Sequence, residues 1–380
     1  MDTLPTLPQM MQRLLSLPSV SATDPALDTG NKAVIEQLAQ WLESLGFAVT
    51  LQPVAHNKLN LWAERGSGPG GLLLTGHADT VPFDEGRWNK NPLSMTEMDG
   101  RWYGLGATDM KGFFALVLEA LRDLDLSQLS APLRVAATAD EETTMEGARL
   151  LAAARPFSPA LTIVGEPTEL KPIGRHKGHI SAAIRIIGKS GHSSDPAAGI
   201  NALELMHQVI GRLLVLKDTL AQRYQDPLFA VPHPTLNLGH IHGGDNANRI
   251  CGCCELHLDI RPLPGMSLDE LEALLSAELA PLHQQYPGAL TWQHLHVPCP
   301  AFVSPDGPWQ RQLSSQLNSP IAAANYATEA PFFAELGGEV LVLGPGSIRQ
   351  AHQPDEYLEL AQVPATVALL RGMVKQLCLT

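Results

Sequence analysis

The 380-residue chain is 44% hydrophobic, ample for a packed core and long enough for two or three domains. It sets 26 Lys and Arg against 39 Asp and Glu, a net charge of −13, with no basic run to favour nucleic acid or an anionic membrane surface. Met1-Asp2-Thr3-Leu4-Pro5 is not a basic region leading into an apolar stretch, and no run approaches the roughly 18 apolar residues of a membrane span, so a cytoplasmic protein is expected.

In chain order, Val34, Ile35, Leu38, Trp41, Leu42 and Leu45 recur at helical spacing and predict a helix over 31–45, with Gly46 as its stop. Residues 47–53 and 59–63 read as strands. The apolar run Leu72-Leu73-Leu74 then stops at Gly76-His77-Ala78-Asp79, ahead of Pro82, and reads as a buried parallel strand that delivers His77 and Asp79 into a crevice. Asp99-Gly100 signals a hairpin before Trp102 and Tyr103. A helix is expected over 112–124, a strand over 133–139, a helix over 147–154 and a strand over 161–164. This alternation implies an α/β fold with a mostly parallel sheet flanked by helices.

After Lys171-Pro172 the pattern changes to strand 179–187, helix 201–216, strands 235–241 and 250–260, helix 267–279 and strand 290–297. That βαββαβ order fits an inserted ferredoxin-like α+β domain. Past about residue 300 the α/β pattern resumes, with a strand over 340–343 and a helix over 364–377 in which Pro364 suits the first position. A catalytic domain of residues 1–175 and 298–380 is therefore expected, interrupted by residues 176–297. Cys251, Cys253 and Cys254 lie in an alternating stretch, where Cys251 and Cys254 would point to opposite faces and act as buried small hydrophobes rather than as half of a zinc site.

Element ends across this pattern carry His77 and Asp79, Asp109 in Ala107-Thr108-Asp109-Met110-Lys111-Gly112, Glu141 and Glu142 after Ala139-Asp140, Glu166 in Val164-Gly165-Glu166-Pro167, and His352. Two imidazoles and several carboxylates suit divalent transition metal. Taken singly, each motif has a plainer explanation: a satisfied His-Asp pair, acidic residues near a helix start, a turn. Their joint order changes the balance.

That order, with Gly191-His192-Ser193-Ser194, resembles the dinuclear-zinc aminoacylase and aminopeptidase-type amidohydrolase family over nearly the whole chain. One departure is Phe113 after Gly112, where many relatives carry a second glycine. The resemblance implies that His77, Asp109 and Glu166 hold one metal ion and Asp109, Glu142 and His352 the other, zinc being expected and cobalt a substitute. Asp79 is expected to accept the other ring N–H of His77. Glu141 is expected to be the general base, taking a proton from water and passing it to the departing amine. His192, on the inserted lid and dimerisation domain, would donate to the developing oxyanion; its plainer reading is a turn histidine beside two serines. A homodimer is implied by resemblance only.

Within the family, the resemblance of Gly243-Gly244-Asp245-Asn246-Ala247-Asn248-Arg249, Thr328-Glu329-Ala330-Pro331-Phe332 and Gln350-Ala351-His352-Gln353-Pro354-Asp355-Glu356 to one group of members implies hydrolysis of a small N-acyl amino acid, N2-acetyl-L-ornithine, to L-ornithine and acetate, a step of arginine biosynthesis. Arg249, beside Asn248, would grip the substrate carboxylate, and Glu329 would face its ammonium. The alternatives are a succinyl-diaminopimelate desuccinylase, dipeptidase or aminoacylase, and a metal-binding protein without catalysis.

Overall fold

The computed structural model describes residues 4–83 and 86–379, so Met1 to Thr3 of the opening segment lie outside the described residues. The chain forms two compact units. The first takes the chain up to Gly174, Ser304–Ala322 and everything from Thr328 on; the second comprises Arg175–Val303 and Ala323–Ala327. The short return at 323–327 carries no sequence signal; its carbonyl at Ala324 accepts the Lys177 N–H at 3.2 Å.

In the first unit, the central strand Leu72–His77 is buried at every position. It pairs in parallel with Leu133–Thr138 on one side and Leu161–Val164 on the other, and Glu339–Val342 continues the parallel set beyond Leu161–Val164. Strands apolar on both faces are what a sheet covered on both sides requires. Lys58–Arg65 and then Ala48–Ala55 extend the sheet antiparallel beyond Leu133–Thr138, and Ile173 pairs antiparallel with Val342 at the other side. The sheet is thus mixed, with a parallel centre.

Helices cover this sheet in two groups. Lys111–Leu121 packs with Leu7–Ser16, Lys32–Ser44 and Gln362–Cys378, whereas Glu146–Ala154 packs with Ala330–Ala334. The last helix begins at Gln362, two positions before the expected proline start. Pro364 is still within the first turn, where a missing N–H removes no helical hydrogen bond. Thr96–Met98 and Arg101–Tyr103 form the expected hairpin. Asp99 and Gly100 both have positive φ, 51° and 72°, as a two-residue hairpin turn needs.

The second unit is a four-stranded antiparallel sheet in the order Thr235–Gly243, Cys253–Arg261, Ile180–Ile187, Leu290–His294. Helices Ala202–Arg223 and Leu268–Gln285 pack against each other, and the longer helix also against three of the strands. Both run beyond the sequence expectation because buried Leu220 and Leu282 continue their apolar stripes. The cysteine expectation needs correction. The strand begins only at Cys253, so alternation does not reach Cys251; Cys251 and Cys254 share one core, while Cys253 is exposed. No described helix of either unit is long and apolar enough to cross a membrane.

Candidate metal centre

Five segments of the first unit converge where the parallel strands end. His77 is the last residue of the central strand, Glu141 and Glu142 follow Leu133–Thr138, Glu166 follows Leu161–Val164, and Asp109 precedes helix Lys111–Leu121. His352 lies in the turns after Glu339–Val342 with a positive φ of 59°. Two glycines keep the floor of the site clear. A Cβ on Gly76 would lie 2.0 Å from the Met110 methyl, and one on Gly165 would lie 2.3 Å from the ring of Phe113. The phenylalanine that departs from the family pattern therefore fills the space over the residue preceding Glu166.

Asp109 sits between two imidazoles. Its Oδ1 is 3.1 Å from His77 Nε2 and its Oδ2 is 3.5 Å from His352 Nε2. His352 Nε2 is 3.0 Å from Glu142, and His77 Nε2 is 3.8 Å from Glu166 and 4.0 Å from Glu141. Three trios place one ligand atom per residue within 4.8 Å of one another: His77, Asp109 and Glu166; Asp109, Glu142 and His352; and His77, Glu141 and Glu142. The first two are the sets the sequence resemblance implies.

Asp79 plays a different part from the one expected. His77 Nδ1 lies 3.0 Å from the backbone carbonyl of Asp79 and 3.7 Å from its carboxylate, so the carbonyl accepts the ring N–H and orients the imidazole. The carboxylate instead accepts the backbone N–H groups of Glu141 and Glu142, at 3.3 and 3.1 Å. The same loop is held by Asp140, which takes bonds from Lys58 Nζ at 2.6 Å and from the Ser21 hydroxyl, and by the Asn60 side chain accepting the Ala139 N–H at 3.1 Å. Sequence reasoning missed Ser21, Lys58 and Asn60, which have no motif of their own.

Electrostatically the cluster is crowded with carboxylates. Burial, with neighbouring carboxylates adding to it, pushes Glu141 and Glu166 well above the ordinary carboxyl range and Asp79 up to about 7. Asp109 is held low: burial would raise it, but the His77 hydrogen bond and charge outweigh that. His352 rises to about 9, chiefly through its bond to Glu142. Glu142 Oε1 is buried with no hydrogen-bond partner among the described residues. An orphaned carboxylate oxygen amid crowded acids and imidazoles is the donor set a divalent ion satisfies.

Glu329 directly precedes helix Ala330–Ala334. It is fully buried; Oε2 accepts the Thr138 hydroxyl at 2.8 Å and burial raises it to about 7. Its other oxygen, Oε1, is buried with no hydrogen-bond partner among the described residues, and the carboxylate raises Glu141. In the second unit, His192 and Arg249 form a backbone bridge, and Ser193 N–H donates to the Asn248 carbonyl at 3.1 Å. The three residues of this unit singled out in the sequence are thus neighbours. Ser194 N–H donates to His192 Nδ1 at 3.2 Å, which leaves the proton of a neutral ring on Nε2. Arg249 pairs with Asp245, both side chains about half exposed.

The profile of peptidase family M20/M25/M40 matches residues 73–376, the span that contains every candidate metal ligand and Glu141, His192 and Arg249. The chain belongs to that family. It is a hydrolase of amide bonds. This M20 chain is 54% identical to an acetylornithine deacetylase of Pectobacterium atrosepticum over 99% of its length and 98% of the relative's, and equally to one of Edwardsiella ictaluri over the same shares. Among solved structures, it superposes on an M20 family metallo-carboxypeptidase of Sulfolobus solfataricus with a TM-score of 0.79 at 17% identity, covering 98% of this chain and 99% of the other. A dinuclear metal binding peptidase of the M20 family from Bacillus subtilis gives 0.67 at 16% identity, covering 98% and 97%. At those identities the structures establish the shared fold.

Proposed function

We propose that this M20 chain hydrolyses N2-acetyl-L-ornithine to L-ornithine and acetate, using two divalent metal ions. The observation that carries the reading is the pair of ligand trios sharing Asp109 beside Glu141, in a chain 54% identical to two acetylornithine deacetylases. His77, Asp109 and Glu166 would hold one ion and Asp109, Glu142 and His352 the other, with zinc the favoured metal and cobalt a substitute. Bound there, such ions supply Lewis-acid polarisation of the scissile carbonyl and a water of lowered pKa.

The chain's own residues do the rest. Glu141 removes a proton from the attacking water and delivers it to the amide nitrogen as the carbon–nitrogen bond breaks, so acetate and the free amine leave in balance. A carboxyl that burial holds well above its usual range suits both halves of that transfer. His192 Nε2–H would donate to the oxyanion, and Arg249 would exchange exposed Asp245 for the substrate's α-carboxylate. In this reading residues 176–297 act as lid and dimer contact, and the enzyme serves arginine biosynthesis in the cytoplasm.

Release of free amine from N2-acetylornithine, N-succinyl-diaminopimelate and a simple dipeptide tests the substrate directly. Preference for acetylornithine, lost with a chelator and restored by zinc, is expected; a stronger rate on either other amide would overturn the assignment and leave the metal centre standing. For Arg249→Ala we expect KM to rise about tenfold or more with a smaller change in kcat, the signature of a lost ground-state contact to a charged group. Unchanged steady-state parameters would remove the clamp.

A further inference from the structure

The side chain of Glu356 is buried, with 1% of its surface exposed, and belongs to none of the ligand trios. Its Oε1 accepts the N–H groups of Thr108 and Asp109 at 2.7 and 2.9 Å, and its Oε2 accepts that of Gly106 at 3.1 Å. One carboxylate thus closes the Gly106-Ala107-Thr108-Asp109 loop from beneath. Burial drives its carboxyl up to about 8, against the pull of those three donors. The backbone on either side continues the junction: the Glu356 carbonyl accepts the Gly104 N–H at 3.0 Å, and the Tyr357 carbonyl accepts the Thr108 hydroxyl at 2.6 Å. Tyr357–Glu359 then pairs with Arg101–Tyr103.

Glu356 follows His352 directly through Gln353-Pro354-Asp355. The adjacent Asp355 is itself anchored, accepting the N–H groups of Asn89 and Lys90 at 3.0 and 3.1 Å. The segment that carries His352 is therefore fastened to the loop that carries Asp109, residues far apart in sequence. Two of the three members of the Asp109, Glu142 and His352 trio depend on this junction. In the other trio only Asp109 does, since His77 and Glu166 stand at or just beyond the ends of strands Leu72–His77 and Leu161–Val164.

We propose that Glu356 is a positioning residue for one metal site in particular: its carboxylate sets the spacing of Asp109 and His352 and so fixes the affinity for the second ion. The inference rests on the two-ion reading above. Partners behind metal ligands typically govern about 10- to 100-fold in affinity.

The test is calorimetric titration of metal-free wild type, Glu356→Ala and Glu356→Gln with Co(II), with the visible absorption of each bound ion followed in parallel. Wild type should take up two ions. Glu356→Ala should bind one with an affinity within about threefold of wild type and the other about tenfold or more weaker. Glu356→Gln, whose amide oxygen can still accept from Thr108 and Asp109, should recover most of that loss. Two ions bound by Glu356→Ala as tightly as by wild type would overturn the inference alone. Equal weakening of both ions would also overturn it, since that marks general damage to the fold. If Glu356→Ala does not fold, Glu356→Gln decides: its NH2 group opposes the Gly106 N–H, so the second ion alone should weaken, by about threefold, and no weakening sinks the proposal. Wild type that takes up a single ion overturns the two-ion reading and this inference with it.

Discussion

Glu141→Ala should lower kcat by about 10²- to 10⁴-fold while the protein still takes up two equivalents of metal, because general acid–base catalysis contributes on that scale. The geometry makes the result informative. Glu141 lies 4.0 Å from His77 Nε2 and also completes a trio with His77 and Glu142, so it could serve either as a base or as a ligand. Metal uptake separates the two. Loss of turnover at full metal content assigns it the proton, whereas loss of one ion together with turnover would make it a ligand and transfer the base role elsewhere. Glu141→Gln, of nearly the same volume, guards against a packing effect on the loop that Asp79 holds through the N–H groups of Glu141 and Glu142.

Chelation should make stability depend on pH. Glu141 and Glu166 are held well above the ordinary carboxyl range, and Asp79 and Glu329 at about 7, each chiefly by burial. A carboxyl that holds its proton more tightly when folded contributes its full stability below the unfolded value near 4 and loses it as pH rises through the folded value. His77 works in the same direction: burial opposes its charge, but Asp109 and the surrounding carboxylates raise it well above 6.5. Asp109, held low, changes its contribution only below about pH 4 and leaves this window unaffected. The thermal midpoint of the metal-free protein should therefore fall by about 5 °C or more between pH 5 and pH 8, and saturating zinc should remove most of that slope. A midpoint that is flat or rises over this range without metal would mean that the acids are hydrated and share little repulsion.

The parts of this protein legible in the sequence were those in which one residue type answers one physical demand. Leu72-Leu73-Leu74 can only satisfy a strand covered on both faces, and Asp99-Gly100 supplies two positive φ angles, so strand and hairpin lie where the pattern places them. The ligand trios were reached differently, through resemblance, because nothing in the spacing between His77 and His352 encodes their approach. What the sequence concealed were the contacts made by backbone. The carbonyl of Asp79, not its carboxylate, orients His77, and carbonyls belong to every residue alike. The bond from Thr138 to Glu329 was equally hidden, because an acidic residue ordinarily signals surface and only the fold reveals it buried. Lys58 was silent, and Glu356 stood in a recognised stretch without a role, for a related reason: a single charged residue becomes meaningful only when its distant partner is known.

The interrupted first unit gives the chain a built-in order of completion during synthesis. His77, Asp109 and Glu166 emerge from the ribosome early and lie on or beside strands that can pair with one another, though the Asp109 loop still lacks the Glu356 carboxylate that closes it. Glu142 must wait. Its partner His352 arrives only after the whole of the second unit has been made. Closing so long a loop costs chain entropy that shorter contacts do not, which makes the arrival of the carboxyl-terminal segment the step that finishes the centre.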